Sequence, residues 1–313
     1  MLLLAFAWAA PAQVPEPEAP TATFSTGTSQ VRIDVQVVEG KNVITGLTKD
    51  DFLIYDEKRP QPVLGFGREA EPVRLLLLLD ISGSMRRNLQ EMARTAKAAL
   101  GLLKPRDEVA VMLFSRDTQL TDPFTADHAA VVQSLERATF DNDLGGGTAI
   151  NSALLKAAEY FDETAKTDDE QRRNQRFAIL IVTDNISTSY KVPDEEVIKA
   201  LYREDIVLNA IVVGKGYRPQ QAKAEQYTNP DFTPADVFKL AEETGGEAVK
   251  ADRADTAFRD MLERIRTRYS LVYRAPDNVS PGTFRYINVQ LAGQARQQYP
   301  KAQVRHRSGY YVR

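Results

Sequence analysis

Cysteine is absent from this chain of 313 residues, and the only histidines are His128 and His306. A chain without cysteine has no disulfide framework and no thiolate ligands, and two histidines are too few for a zinc finger or a His-rich metal site. An excess of positive charge is also missing, because 40 basic residues face 43 acidic ones. The composition therefore gives no electrostatic reason to expect a nucleic-acid partner, and any metal chemistry must use oxygen ligands.

A hydrophobic run of membrane-spanning length is absent as well. The apolar run at residues 1–10 is shorter than the roughly 20 residues that a spanning helix needs. We interpret residues 1–12 as a signal peptide, with Ala10 and Ala12 forming an A-x-A cleavage site, although no basic residue precedes the run. Residues 13–28, rich in Pro, Glu, Thr and Ala, predict a flexible tether. We therefore expect an exported protein, periplasmic or secreted, whose mature chain has no transmembrane segment.

Short strands are predicted at both ends of the remaining chain. Residues 31–37 alternate strictly between apolar and polar, as a half-buried strand does. Each end is too small to bury a core of its own, so residues 29–70 and 269–313 are predicted to form one small β-sandwich-like domain together. The other strand-like stretches are residues 43–47, 52–55, 63–66, 269–273, 285–291 and 309–312, with residues 56–60 as a turn.

Between the two ends, continuous apolar runs alternate with segments of helical periodicity. Runs of this kind are typical of strands that are buried on both faces of a parallel sheet. The alternation predicts an α/β fold with a doubly wound, mostly parallel, Rossmann-like sheet over residues 73–268. The apolar runs are residues 73–79, 109–114, 177–182 and 207–213.

Two other central stretches carry weaker signals. Residues 162–176 are dense in charge, which predicts a solvated loop or a helix extension. Residues 215–233 are a longer insertion after an apolar strand, on the edge where such folds place their sites, so we expect the insertion to influence the choice of partner.

The chemistry-bearing residues follow the predicted strands. Asp80, Ser82 and Ser84 come directly after the first apolar run, at alternate positions that point the same way in an extended loop. Three such oxygens suit a hard cation, but Ser and Asp at this place also suit an ordinary helix N-cap. Thr148 follows three glycines, and Asp184 comes two residues after the run 177–182. Because the carboxyl ends of parallel strands share one edge, the cation site becomes the better interpretation.

These residues resemble the metal-ion-dependent adhesion site of the von Willebrand factor type A family. The resemblance covers about residues 73–268, and the flanking segments resemble a bacterial subgroup of exported proteins. It implies a divalent cation, Mg²⁺ or else Mn²⁺ or Ca²⁺, and an Asp or Glu of a partner protein that completes the metal shell. The positions that match the family's motif in order and spacing are Asp80, Ser82, Ser84, Thr148 and Asp184. The chain departs at Asn185, where many members have Gly, and we expect small consequences there.

The resemblance implies a protein-binding module rather than an enzyme. The alternative is a metal-dependent hydrolase or phosphoryl-transfer enzyme that uses Asp80 or Ser82. Against it, no histidine lies near these motifs in sequence, and the glycine turn before Thr148 lacks the lysine of a phosphate-binding P-loop. We expect His128 and His306 to be surface residues, and the basic tail at residues 301–313 to be a solvated edge strand.

Overall fold

The computed structural model describes residues 30–68, 71–140, 144–165, 175–188, 192–214 and 236–312. The predicted signal peptide, the tether and the insertion at residues 215–233 lie outside the described residues, as do residues 166–174 of the charged stretch. None of the helices in the described ranges has the length and apolar character needed to cross a membrane.

The described elements follow one another along the chain in three blocks, with strands at both ends and alternating strands and helices between. A 3-10 turn covers Lys49–Asp51. The helices are α1 (Arg86–Leu100), α2 (His128–Ala138), α3 (Ile150–Ala165), α4 (Asp194–Arg203), α5 (Val237–Glu243), α6 (Ala254–Arg266) and α7 (Gly293–Gln298). The strands are β1 (Gln30–Glu39), β2 (Asn42–Val43), β3 (Phe52–Asp56), β4 (Arg59–Gln61), β5 (Gly65–Gly67), β6 (Val73–Asp80), β7 (Glu108–Phe114), β8 (Thr118–Thr125), β9 (Arg176–Thr183), β10 (Ile206–Val213), β11 (Ala248–Ala251), β12 (Tyr269–Arg274), β13 (Phe284–Leu291), β14 (Gln303–Arg305) and β15 (Gly309–Tyr311).

The central sheet has the strand order β11-β10-β9-β6-β7-β8. All neighbours are parallel except β7 and β8, which are antiparallel. Along β6, Leu75 and Leu77 pack into one hydrophobic core with α1, α2 and α6, whereas Leu76 and Leu78 pack into a second core with α3, α4 and α5. Helices on both faces explain why these strands are apolar throughout. The predicted doubly wound, mostly parallel sheet is confirmed.

The strands of the two chain ends pair with one another. β1 lies antiparallel to β12, with Ile33 opposite Leu271, and β3 lies antiparallel to β13, with Ile54 opposite Val289. One sheet has the order β14-β1-β12-β5 with β2 beside β1, and the other has the order β15-β13-β3-β4. Side chains from both ends share one hydrophobic core. The small β-sandwich-like unit predicted by the sequence is confirmed.

Two local predictions for the N-terminal strands need correction. Of the stretch predicted at 43–47, only Val43 lies in a strand, at the end of β2. The strand β4 includes residues 59 and 60, which were expected to belong to a turn. The turn consists of Glu57 and Lys58, both at positive φ, which is the conformation of a two-residue hairpin turn. Neither residue is a usual choice for that turn, so the hairpin carries no clear sequence signal.

The basic tail does form edge strands, β14 and β15, but the prediction that it is solvated was wrong. The side chain of Arg307 is only 9% exposed; it forms an ion pair with Asp205 of the α/β unit and donates to the carbonyl of Arg32 at 2.7 Å. Arg305 forms a second ion pair with Glu247 at 2.7 Å. The tail is therefore part of the interface between the β-sandwich-like unit and the α/β unit.

Candidate metal site at the carboxyl edge of the central sheet

The candidate site lies where β6, β7 and β9 end side by side. The register places Asp80 at the end of β6 opposite Phe114 at the end of β7, and the amide of Ile81 donates to the Phe114 carbonyl at 2.9 Å. On the other side, β6 runs parallel to β9, with Leu79 opposite Val182. The loops after these three strands consequently meet at one edge of the sheet, as the sequence predicted.

Hydrogen bonds connect four of the five predicted ligand residues. The amide of Ser82 donates to Asp80 Oδ1 at 2.9 Å, so the loop folds back over the carboxylate. The hydroxyl oxygens of Ser82 and Ser84 are 3.3 Å apart. Ser84 Oγ donates to Asp184 Oδ2 at 2.6 Å. Two carboxylates and two hydroxyls are thus brought together from separate strands.

The pKa of Asp80 differs from that of an ordinary aspartate. Its side chain is fully buried, and this burial raises its pKa to about 6. Hydrogen bonds from Ser82 and from Thr183, whose Oγ1 donates to Asp80 Oδ2 at 2.7 Å, act in the opposite direction, and the negative charge of Asp184 adds to the rise. A cation beside the two carboxylates would favour their ionised forms.

Thr148 is placed by its backbone. Its amide donates to Thr188 Oγ1 at 2.7 Å, and its carbonyl accepts from the Thr188 amide at 2.9 Å and from Ser187 Oγ at 3.1 Å. The glycine turn is therefore bound to the loop that follows Asp184. No hydrogen bond joins the Thr148 hydroxyl to the other four ligand residues within the described part of the chain.

Three further residues support the site and were not predicted from the sequence. Thr183 and Thr188 make the bonds described above, and Ser115 fixes the glycine turn from the other side, because its buried hydroxyl donates to the carbonyls of Leu144 at 2.7 Å and Gly145 at 2.9 Å. A polar residue at the very end of an apolar strand was the signal for Thr183 and Ser115. Thr188 had no such signal.

Asn185 occupies the left-handed backbone region, with φ of 57°. Asn tolerates this region better than other residues that carry a Cβ atom, which explains how the chain does without Gly here. Its amide donates to Thr183 Oγ1 at 3.1 Å, and its side-chain oxygen accepts from the Val237 amide at 3.4 Å. Asn185 therefore also connects this loop to α5.

The donor set fits a hard divalent cation. It consists of carboxylate and hydroxyl oxygens, without nitrogen or sulfur. Throughout the described ranges, no group of three or more His, Cys, Asp or Glu residues is arranged to hold a metal. The carboxylates of the candidate site are those of Asp80 and Asp184. A divalent cation held by these two would need further oxygen ligands to complete its coordination.

Both histidines lie away from this edge. His128 Nε2 is 2.9 Å from the Asp107 carbonyl at the start of α2. His306 Nε2 accepts from the Val289 amide at 3.1 Å in the β-sandwich-like unit, and burial lowers its pKa. His306 is therefore a partly buried structural residue, and the expectation that it lies at the surface was wrong.

Residues 75–186 match the family model of the von Willebrand factor type A domain. The resemblance stated from the motif is confirmed over this part of the chain, which contains all five predicted ligand residues. No curated protein matches the chain significantly.

Several solved structures are similar to parts of the chain at low sequence identity. An aerotolerance-related membrane protein from Bacteroides fragilis is 20% identical, with a TM-score of 0.45 over 62% of this chain and 98% of that chain. The conserved hypothetical protein BatB from Bacteroides thetaiotaomicron is 22% identical, with a TM-score of 0.45 over 62% of this chain and 97% of that chain. The manganese-loaded TRAP protein from Plasmodium vivax is 14% identical, with a TM-score of 0.43 over 82% of this chain and 98% of that chain.

Proposed function

We propose that this chain, whose residues 75–186 match the von Willebrand factor type A domain, is a metal-ion-dependent protein-binding module. It coordinates a divalent cation, Mg²⁺ in the first place, through Asp80, Ser82, Ser84, Thr148 and Asp184. A partner protein then supplies an Asp or Glu carboxylate to the same cation. The observation that carries the proposal is the hydrogen bond of 2.6 Å between Ser84 and Asp184, which joins the loops of two strands at the carboxyl edge of the sheet.

The chemistry of the donor set supports this mode of binding. Mg²⁺ prefers oxygen ligands in octahedral geometry and keeps several waters that an incoming ligand is able to replace. The two carboxylates formally balance its charge, but the five proposed ligand residues supply at most five oxygens when each contributes one, so a position of the octahedral shell is left for an oxygen of the partner. The residues of this chain hold the cation and orient its open side, and the partner contributes the missing carboxylate.

A role in binding rather than in catalysis is part of the proposal. A hydrolase that used Asp80 or Ser82 would need a general base with access to the substrate. The two histidines are bound to backbone groups elsewhere, and Asp80 is fully buried with both of its carboxylate oxygens in hydrogen bonds. These observations support an adhesion-type module.

We also propose that the protein works outside the cytoplasm, in the periplasm or as a secreted protein. The support is the apolar run and the A-x-A pattern of residues 1–12.

The test combines cation binding with partner capture. Calorimetric titration of purified protein with Mn²⁺ and Mg²⁺ should show one bound cation, and Asp184→Ala should abolish the binding heat. The matched control is Asp277→Ala, which removes an exposed carboxylate from the β-sandwich-like unit. Capture from the native cell envelope should yield a partner that chelator releases. Equal capture with and without chelator would contradict the proposal.

A further inference from the structure

Arg116 is an exposed cationic residue at the rim of the candidate metal site, on the side of β7. Ser115 and Arg116 follow β7, whose last residue, Phe114, is the register partner of Asp80. Neighbouring strands lie about 4.8 Å apart, so Arg116 emerges close beside the loop that carries Ser82 and Ser84. Its side chain is exposed, and it makes no ion pair or hydrogen bond with any side chain of the described residues, including the neighbouring Asp117.

The backbone on either side of Arg116 is fixed. The Ser115 carbonyl accepts from the Ala149 amide at 2.8 Å, and the Asp117 amide donates to the Leu144 carbonyl at 3.0 Å. The stem of Arg116 packs along Gly145, which has φ of 81°; a Cβ atom there would lie 3.3 Å from Arg116 Cβ and 3.6 Å from its Cδ. The arginine stem is therefore held against the glycine turn of Thr148, and its guanidinium group has no acidic partner among the residues that the structure describes.

An exposed apolar residue, Ile186, follows β9, which lies on the other side of β6 from β7. Ile186 comes two residues after Asp184, and its amide donates to Asp184 Oδ1 at 3.1 Å. Its side chain is 46% exposed, although the residues on both sides, Asn185 and Ser187, are buried. Ile186 belongs to neither hydrophobic core of the α/β unit, so its side chain is available beside the predicted ligand Asp184.

From this arrangement we infer that Arg116 and Ile186 select the partner segment. The inference rests on the proposed function, and it specifies the partner further. The segment carries two carboxylates, one for the cation and a second for Arg116, and an apolar side chain for Ile186. The positive charge of Arg116 beside a divalent cation makes this rim favourable for an acidic segment and unfavourable for a basic one.

The experiment uses the full chain and a set of synthetic nonapeptides. Each peptide has one central Asp, and its neighbouring positions vary one at a time among Asp, Asn, Leu and Lys. Binding is measured by fluorescence anisotropy in millimolar Mg²⁺ and again in chelator. Wild-type protein should bind a peptide with a second Asp about fivefold more tightly than its Asn counterpart, the size expected for an exposed charge pair.

Charge reversal at Arg116 decides the inference. Arg116→Glu should reverse the preference, so that Lys beside the central Asp becomes better than Asp. Arg296→Glu, which reverses an exposed arginine on α7, should leave the wild-type preference unchanged. Ile186→Ser should remove the gain from Leu, whereas Leu64→Ser, at a residue 54% exposed in the β-sandwich-like unit, should retain it.

A preference unchanged by Arg116→Glu, or no gain from a second Asp, overturns the inference. If no peptide binds while calorimetry shows a bound cation, an acidic peptide is the wrong class of partner and the inference falls, but the cation part of the proposed function stands. If no cation binds, the proposed function itself has failed.

Discussion

The hydroxyl of Ser84 donates a hydrogen bond of 2.6 Å to the carboxylate of Asp184, across 100 residues of sequence. Ser84 belongs to the loop after β6 and Asp184 to the loop after β9, and these two strands are parallel neighbours. The bond therefore exists only because the sheet brings two carboxyl ends together. It also holds the second carboxylate close to the first, which is unfavourable unless positive charge is nearby.

Removal of the Asp184 charge should leave stability unchanged or higher without cation, but it should abolish the stabilisation by cation. In chelator, we expect Asp184→Asn to melt at the same temperature as wild type or higher, because the charge of Asp184 disfavours ionisation of Asp80. In millimolar Mg²⁺, wild type should gain about 2.7 kcal/mol when the cation is at 100 times its Kd, and the variant should not. Asp80→Ala should also lose the gain. Identical wild-type melting curves in both buffers would count against cation binding.

The glycine turn offers a prediction with a control at the adjacent residue. Gly147 has φ of 101°, and a Cβ atom there would collide with Thr188 Oγ1, the group that accepts from the Thr148 amide. Gly147→Ala should lower the free energy of unfolding by about 1–3 kcal/mol and weaken cation binding, because it moves Thr148. Gly146→Ala, which has open space around its Cβ position, should change neither quantity. Chemical unfolding and cation titration measure the two effects, and equal behaviour of the two variants would be a failure of this prediction.

A buried carboxylate organises the interior of the β-sandwich-like unit. Asp56 is fully buried, and its Oδ2 accepts hydrogen bonds of 2.9 Å from the hydroxyls of Tyr273 and Tyr310, while Arg285 forms an ion pair with Oδ1 at 2.6 Å. Asp56→Ala should destabilise by about 3–5 kcal/mol, because it leaves the other groups without their acceptor. Tyr273→Phe should cost about 1–3 kcal/mol.

The control for this cluster is Tyr286→Phe, at a tyrosine that is 64% exposed. Urea unfolding of the three variants supplies the measurement. If Tyr273→Phe and Tyr286→Phe are equally stable, the buried hydroxyl contributes nothing and the account of the cluster is wrong.

His306 makes stability depend on pH. Burial lowers its pKa below the ordinary value of 6.5, and the charges of Arg268 and Arg307 act in the same direction. The unfolded state then binds more protons than the folded state, so stability is fully present above about pH 6.5 and is lost as the pH falls toward the folded-state pKa. A tenfold difference in proton affinity between the folded and unfolded states corresponds to a loss of about 1.4 kcal/mol.

Urea unfolding between about pH 7 and pH 5 measures this effect. His306→Gln keeps an acceptor for the Val289 amide and should remove the destabilisation at low pH, whereas His128→Gln should preserve it. The contribution of Asp80 then remains, and it has the opposite sign, because a raised carboxyl pKa favours the folded state as the pH falls. A wild-type slope that persists unchanged in His306→Gln would assign the pH dependence to other groups.

The fold was predictable wherever the spacing of apolar residues along the chain shows which faces of a strand are buried. The apolar runs of β6, β9 and β10 and the alternation in β1 gave their strands correctly, because burial on two faces or on one face leaves different patterns. β8 was missed because an edge strand with Asp122 and Pro123 in its interior has neither pattern. The roles of Arg305 and Arg307 were also missed, since their acidic partners, Glu247 and Asp205, are distant in sequence.

By itself, the sequence determined the residue types available for chemistry and the strand ends at which they stand. Without cysteine and with two histidines, only oxygen ligands were left, and Asp80 and Asp184 each ended an apolar run. The tertiary structure decided which of these groups touch, that Asn185 adopts a left-handed backbone, and that Arg116 is exposed beside the site. These properties depend on the order and register of strands, which arise from packing between distant segments and leave no local pattern in the chain.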